Sequence, residues 1–176
     1  MKHLLALALV PILTACALKA PPYAVSINNV QALETIRPVN LGEFKVANPS
    51  LDSIAMRGSQ LSAPVNGGYA EYLKQALAQE LDIAHKLDPN SKTTVSAELL
   101  ENDLNSNSGQ GRIKARFVVS RDKNQTFRKE MTANNEWQTS FAAAIALPEA
   151  ANNYPILVQK LLAELFNDSD FQAATK

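Results

Sequence analysis

The chain has little of the chemistry that metal sites, disulfides and redox centres need. Among its 176 residues there is one cysteine, Cys16, and there are two histidines, His3 and His85. A lone cysteine cannot form an internal disulfide. With so few soft or imidazole ligands, a metal site built from histidine and cysteine is excluded.

The chain also lacks an excess of charge of either sign. The 17 lysines and arginines balance the 17 aspartates and glutamates. Domains that bind nucleic acid usually carry a basic patch, so no nucleic-acid partner is expected. The length and the 46% hydrophobic content fit one globular domain.

The common catalytic signatures are absent as well. The sequence contains no GxSxG, no HExxH and no glycine-rich phosphate loop. Glu98, Glu101 and Asp103 cluster near a predicted strand end, where solvated surface carboxylates are the simpler interpretation. His85 falls near the end of a predicted helix, where it would interact with the helix dipole or with solvent. We therefore expect no enzymatic activity and no cofactor.

What the chain does have is a short apolar N-terminus that ends at its cysteine. Lys2 and His3 precede an apolar run from Leu4 to Leu13, and Leu13-Thr14-Ala15-Cys16 follows. The run is too short to span a bilayer, which takes about 20 apolar residues. The pattern resembles a bacterial lipoprotein signal peptide, with cleavage between Ala15 and Cys16. An ordinary secretory signal that happens to contain a cysteine is the alternative.

This resemblance implies a membrane anchor and a location. Cys16 would carry a covalent diacylglycerol and an N-acyl chain, and several acyl chains hold a protein stably on a membrane. No aspartate follows Cys16, because the next residue is Ala17. By the sorting rules of bacteria with two membranes, this implies the periplasmic face of the outer membrane.

We predict three segments along the chain. Residues 1–15 form the signal peptide, residues 16–38 form a lipidated tether, and residues 39–176 form a single periplasmic domain. The tether assignment rests on Pro21, Pro22 and Pro38 and on weak periodicity.

Periodicity predicts an α+β domain in the order β-α-β-β-β-α. Period-2 patterns predict strands and helical spacing predicts helices. The predicted helix over 67–87 has Asn66 as its N-cap, and the helix over 154–166 has Pro155 in its first turn. Gly42 marks a possible bulge. The predicted strands are 39–47, 93–100, 112–121 and 125–133. Together they give a two-layer fold, a mainly antiparallel four-stranded sheet with two helices packed on one face.

Two groups of residues are candidates for a binding surface. Trp137, Phe141 and Tyr154 lie in a run of small residues and could line a shallow groove. The same residues could equally form the core seam where the last strand turns into the final helix. Lys114, Arg116, Arg128 and Glu130 fall mostly on polar strand faces, where cross-strand charge pairing is the simpler interpretation and an anion-binding surface is the alternative.

From Ile54 onward the chain resembles a family of small proteobacterial lipoproteins without assigned activity. The segments that carry this resemblance are SIAMRGSQLSAP (53–64), GGYAEYLKQAL (67–77), GRIKARFVVSRD (111–122), EWQTSFAAAIALPEAANNYP (136–155) and VQKLLAELFNDSDFQAA (158–174). The element order is also similar to that of auxiliary lipoproteins of ABC-type transport systems and of lipoprotein activators of peptidoglycan synthases. Those proteins bind other envelope components.

These resemblances imply a non-enzymatic accessory of a cell-envelope transport or assembly system, tethered to the membrane and contacting an envelope protein. The alternative is a lipoprotein that binds a lipid or small molecule in an apolar pocket between the helices and the sheet. A filled core would favour the first hypothesis.

Overall fold

A computed structural model describes residues 18–176. Residues 1–17, which include the predicted signal peptide and Cys16, lie outside the described residues. The elements in chain order are β1 (Leu18–Lys19), α1 (Ile27–Ala32), β2 (Asn40–Val46), a short 3-10 helix (Pro49–Asp52), β3 (Ile54–Met56), β4 (Ser59–Ser62), α2 (Gly68–Ile83), β5 (Thr93–Asn105), β6 (Gln110–Arg121), β7 (Asn124–Glu136), α3 (Ala143–Phe166) and α4 (Ser169–Ala174).

Alternating apolar and polar residues build the main sheet, whose strand order is β2-β5-β6-β7. Val95, Ala97 and Leu99 of β5 are buried, and the residues between them reach the surface. β5, β6 and β7 form an antiparallel meander, while β2 joins β5 in parallel. The predicted fold class is therefore confirmed. The strand register shifts between Leu41 and Phe44, which places a bulge at Gly42 as predicted.

The predicted N-cap of α2, Asn66, is wrong. Gly67 and Gly68 both have positive φ, at 97° and 75°, so the chain enters the helix through a left-handed bend that favours glycine. This bend brings the helix start to Asp52, whose Oδ1 accepts a hydrogen bond from the Tyr69 N–H at 3.0 Å. The cap thus comes from 17 residues earlier in the chain.

Helix α3 begins at Ala143, eleven residues before the predicted start at 154. Pro148 and Pro155 both lie inside it. Proline in a helix removes one hydrogen bond and crowds the preceding turn, which is why the sequence predicted a helix start at 154, with Pro155 in the first turn. Burial of Ala146 and Ala150 holds the first turns against the core, and tertiary packing overrides the local preference.

The predicted tether, residues 16–38, is folded rather than free from Leu18 onward. β1 pairs in parallel with β4, which pairs with β3, so these strands form a second, three-stranded sheet. Ala20, Tyr23, Leu33 and Ile36 are buried in the core. The segment 18–38 therefore belongs to the folded domain, because most of its apolar side chains pack against the core, although Ile27 stays exposed.

Asp168 and Phe171 hold the C-terminal end of the chain. Asp168 accepts hydrogen bonds from the N–H groups of Asp170 and Phe171, both at 3.0 Å, and so caps α4. The Phe171 ring is buried 5.8 Å from the Phe127 ring, measured between centroids. This contact packs the C-terminus against β7.

Candidate functional site

Trp137, Phe141 and Tyr154 do not line a common groove. Tyr154 is 1% exposed and lies in the core, with its ring 4.8 Å from Tyr69 and 5.4 Å from Tyr72 between centroids. Phe141, by contrast, is fully exposed. The cause is the early start of α3, which leaves Phe141 on the loop and places Tyr154 about three turns into the helix.

Trp137 lies where the last strand leaves the sheet. Its backbone N–H donates to the Gly109 carbonyl at 2.8 Å, and its half-buried ring packs over Gly111. Gly109 has a φ of +68°, so the turn between β5 and β6 depends on a residue that tolerates this conformation. The core-seam interpretation therefore describes Trp137 and Tyr154 better than the groove does.

The main sheet offers a different surface, which we term the open face. Helices α2 and α3 pack on one side of the sheet, and the other side carries outward-pointing side chains of β5, β6 and β7. At its centre are Glu98, Arg116, Val118, Arg128 and Glu130. These residues lie on neighbouring strands at matching register positions.

Ion pairs cross the open face from strand to strand. Glu98 lies 3.8 Å from Lys45 of β2 and 2.6 Å from Arg116 of β6. Arg116 in turn lies 2.7 Å from Glu130 of β7, which pairs with Lys114 at 2.7 Å. The predicted cross-strand charge pairing is confirmed for these residues. Surface pairs of this kind contribute little one by one, but they fix the side chains in one arrangement.

Glu130 provides a pH-dependent test of this arrangement. Hydrogen bonds from Lys114 and Arg116 hold the pKa of Glu130 below its ordinary value. Its contribution to stability is therefore present above the unfolded-state pKa, about 4.3, and is lost as the pH falls through the lower folded-state value. We expect Glu130→Gln to be less stable than the wild type near neutral pH and to converge with it in acid.

The measurement is urea unfolding of both proteins over a pH series from about 6 to 3. Glu164→Gln is the matched control, because Glu164 is exposed on the outer side of α3. A stability difference between wild type and Glu130→Gln that stays constant across the series would contradict the ion-pair arrangement.

Shallow depressions accompany these charges. One of about 200 Å³ lies on the open face and is lined by Lys45, Glu98, Arg116, Val118 and Arg128 among others. A second, of about 350 Å³, lies near the far end of the same strands and is lined by polar residues that include Asp103, Arg112 and Asn134. Both are open to solvent and are lined mainly by charged and polar residues, unlike the enclosed apolar pockets that hold small ligands.

The remaining sequence candidates lie apart from each other. Glu98 and Glu101 pair with arginines on the open face, at 2.6 Å and 2.7 Å, while Asp103 is exposed further along β5. His85 is exposed beyond the end of α2, with a φ of +56°. Within residues 18–176 no group of three or more acidic, histidine or cysteine side chains is arranged to hold a metal ion.

Arg57, which was not among the sequence candidates, has partners far along the chain. It follows β3 with a φ of 42°, and its guanidinium donates to the carbonyl oxygens of Ser106 and Phe141, both at 3.0 Å. These bonds tie the β3–β4 turn to the β5–β6 turn and to the loop before α3. Only the adjacent Gly58 hinted at a tight turn here, and the distant partners left no signal in the sequence.

In the part of the chain that the structure describes, no helix combines the length and the apolarity needed to cross a bilayer.

No protein-family model and no curated protein matches the chain. Among solved structures, a Xanthomonas campestris protein of the DUF330 family is similar over 89% of this chain and 92% of its own, with a TM-score of 0.56 and 10% identity. A hypothetical protein from Chlamydia trachomatis gives a TM-score of 0.46 at 13% identity, covering 78% of this chain and 99% of its own. A minor lipoprotein from Acinetobacter baumannii gives 0.43 at 14%, covering 77% and 93%. At such low identity, the first likeness shows a shared fold.

Proposed function

We propose that this chain is a non-enzymatic lipoprotein, anchored on the periplasmic side of the outer membrane, that serves as an interaction module of a cell-envelope transport or assembly system. The anchor rests on the sequence pattern that ends at Cys16. The observation that supports the interaction role is the open face, a sheet surface of paired, mixed charges on which none of the helices within residues 18–176 packs.

The open face has the properties of a docking surface. Its ion pairs hold Arg116 and Glu130 in place before any partner arrives, so little side-chain entropy is lost on binding. Mixed charges favour recognition of a partner with a complementary pattern and disfavour others. Arg128 is exposed next to Val118 and is available to a partner's acidic group.

Anchoring would supply the rest of the affinity. A partner in the same membrane meets the lipidated protein at a raised effective concentration, so even a weak contact through the open face is populated. The ligand-binding alternative relied on a pocket lined by Trp137, Phe141 and Tyr154. Tyr154 fills the core instead, and buried side chains occupy the space between helices and sheet, which favours the interaction module.

The test is site-specific photo-crosslinking in cells. A photoreactive amino acid replaces Arg128 on the open face in the full, lipidated chain, and the matched control places it at Glu164 on the outer side of α3. We expect a discrete crosslinked envelope protein from position 128, recovered in amounts comparable to the bait and identified by mass spectrometry. The same products from both positions, or none from position 128, would count against the open face as the contact.

A further inference from the structure

One end of the molecule carries an exposed apolar tip, which we define as Phe141 to Ile145. Its five residues are Phe-Ala-Ala-Ala-Ile, and all are exposed. Phe141 is fully exposed and Ile145 is 51% exposed. Large apolar side chains grouped at a surface, without polar neighbours between them, are typical of a contact site.

The tip is fixed to the rest of the protein rather than free. Arg57 donates a hydrogen bond to the Phe141 carbonyl at 3.0 Å and another to the Ser106 carbonyl at 3.0 Å. The Thr139 hydroxyl donates to the same Ser106 carbonyl at 2.7 Å. The tip therefore lies at the same end of the molecule as the turn between β3 and β4.

The direction of β1 connects this end with the N-terminus. Leu18 pairs with Leu61 and Lys19 with Ser62, and the strands run parallel. The chain therefore enters β1 from the side where β4 begins, which is the side of the Arg57–Gly58 turn. Cys16 is only two residues before Leu18. Two extended residues span at most about 7 Å, so an anchor on Cys16 holds this end of the domain against the bilayer.

We propose that the tip inserts into the lipid surface beside the anchor and fixes the orientation of the domain on the membrane. This inference rests on the lipid anchor of the proposed function and adds a second membrane contact to it. Apolar side chains next to a bilayer gain by leaving water, and the anchor has already brought them there. Together the two contacts define one membrane-facing end and restrict rotation about the anchor.

The molecule offers a matched control for this proposal. Ile83 is also a large exposed apolar residue, at 58%, but it lies at the C-terminal end of α2. Shortly after it, Leu87 forms a parallel bridge with Val39, the residue just before β2. That is the opposite end of the main sheet from the β5–β6 turn. If exposure alone caused lipid contact, the two sites would behave alike.

The test uses lipidated protein in phosphatidylethanolamine–phosphatidylglycerol vesicles. In the lipidated protein the Cys16 sulfur is joined to the diacylglycerol, so a cysteine at position 141 or 83 is the one free thiol and takes an environment-sensitive nitrobenzoxadiazole label uniquely. We expect the 141 label to shift to shorter wavelength and to be quenched by nitroxide-labelled lipids, and the 83 label to stay accessible to aqueous iodide. Since Phe141 is fully exposed, its replacement removes no core contact.

Three outcomes are distinguishable. A buried 141 label with an aqueous 83 label supports the proposal. Aqueous signals from both labels on protein that floats with the vesicles overturn the membrane-contact role of the tip and leave the anchor intact. Protein that does not float with the vesicles overturns the anchor itself, and with it the premise of the inference.

Discussion

Alanine at Cys16 is expected to move the protein from the membrane pellet to the soluble periplasm. The thiol is the only group at the predicted cleavage site that can be joined to a diacylglycerol. Each buried methylene contributes about 0.8 kcal/mol, so loss of the acyl chains removes nearly all membrane affinity. The measurement is cell fractionation with immunoblotting, together with intact-mass analysis of the wild-type N-terminus.

The control separates lipidation from signal processing. A variant in which residues 1–16 are replaced by a cleavable secretory signal without cysteine reaches the periplasm by a different route, and it should be soluble as well. A mature wild-type protein whose mass shows an unmodified cysteine would contradict the anchor. Retention of the Cys16→Ala protein on the membrane in unprocessed form would count against the cleavage site at Ala15.

Replacement of Glu80 with alanine is expected to lower the free energy of unfolding by about 3 kcal/mol, as for other broken buried polar networks. Glu80 is fully buried on α2, and its Oε1 accepts hydrogen bonds from the Tyr23 hydroxyl at 2.5 Å, the Ser26 N–H at 3.0 Å and the Asn29 side-chain amide at 3.2 Å. Alanine leaves all three donors without this acceptor and opens a cavity.

Urea unfolding measures this loss, and limited proteolysis shows where it acts. Because the three donors all lie in the segment before β2, that segment should become the first cleavage region in Glu80→Ala. Glu80→Gln is the matched control, since its carbonyl keeps an acceptor in the place of Oε1. A Glu80→Ala protein as stable and as protease-resistant as the wild type would show that the cluster does not hold this segment.

The meander β5–β6–β7 could be predicted because the alternation of apolar and polar residues is visible within each strand segment. Period-2 patterns located β5, β6 and β7, although β5 extends five residues beyond its predicted end, and placed Arg116 and Glu130 on polar faces of neighbouring strands. Two wrong predictions, the N-cap of α2 and the start of α3, depend on contacts with residues far along the chain. The α2 cap comes from Asp52, and the start of α3 depends on how Ala146 and Ala150 pack. No pattern within either helix carries that information.

The prediction of a groove was wrong for a related reason. Placing Trp137, Phe141 and Tyr154 together assumed that α3 begins at residue 154, and an earlier start separates the last two completely. The segment 18–38 was hard to interpret because isolated apolar residues such as Tyr23 and Leu33 show no period. Their burial depends on Glu80 and on the helices, which lie far along the chain.

If Cys16 carries the proposed anchor, the packing of residues 18–38 against the helices limits how far the domain can reach from the membrane. A free segment from 17 to 38 could extend up to about 75 Å, whereas the two residues before β1 allow about 7 Å. A domain of this size is roughly 40 Å across. The anchored protein would therefore sample a thin layer beside its own membrane. Under the proposed anchoring, a partner would have to be embedded in that membrane or extend into this layer, and the protein would not by itself reach the opposite side of the periplasm.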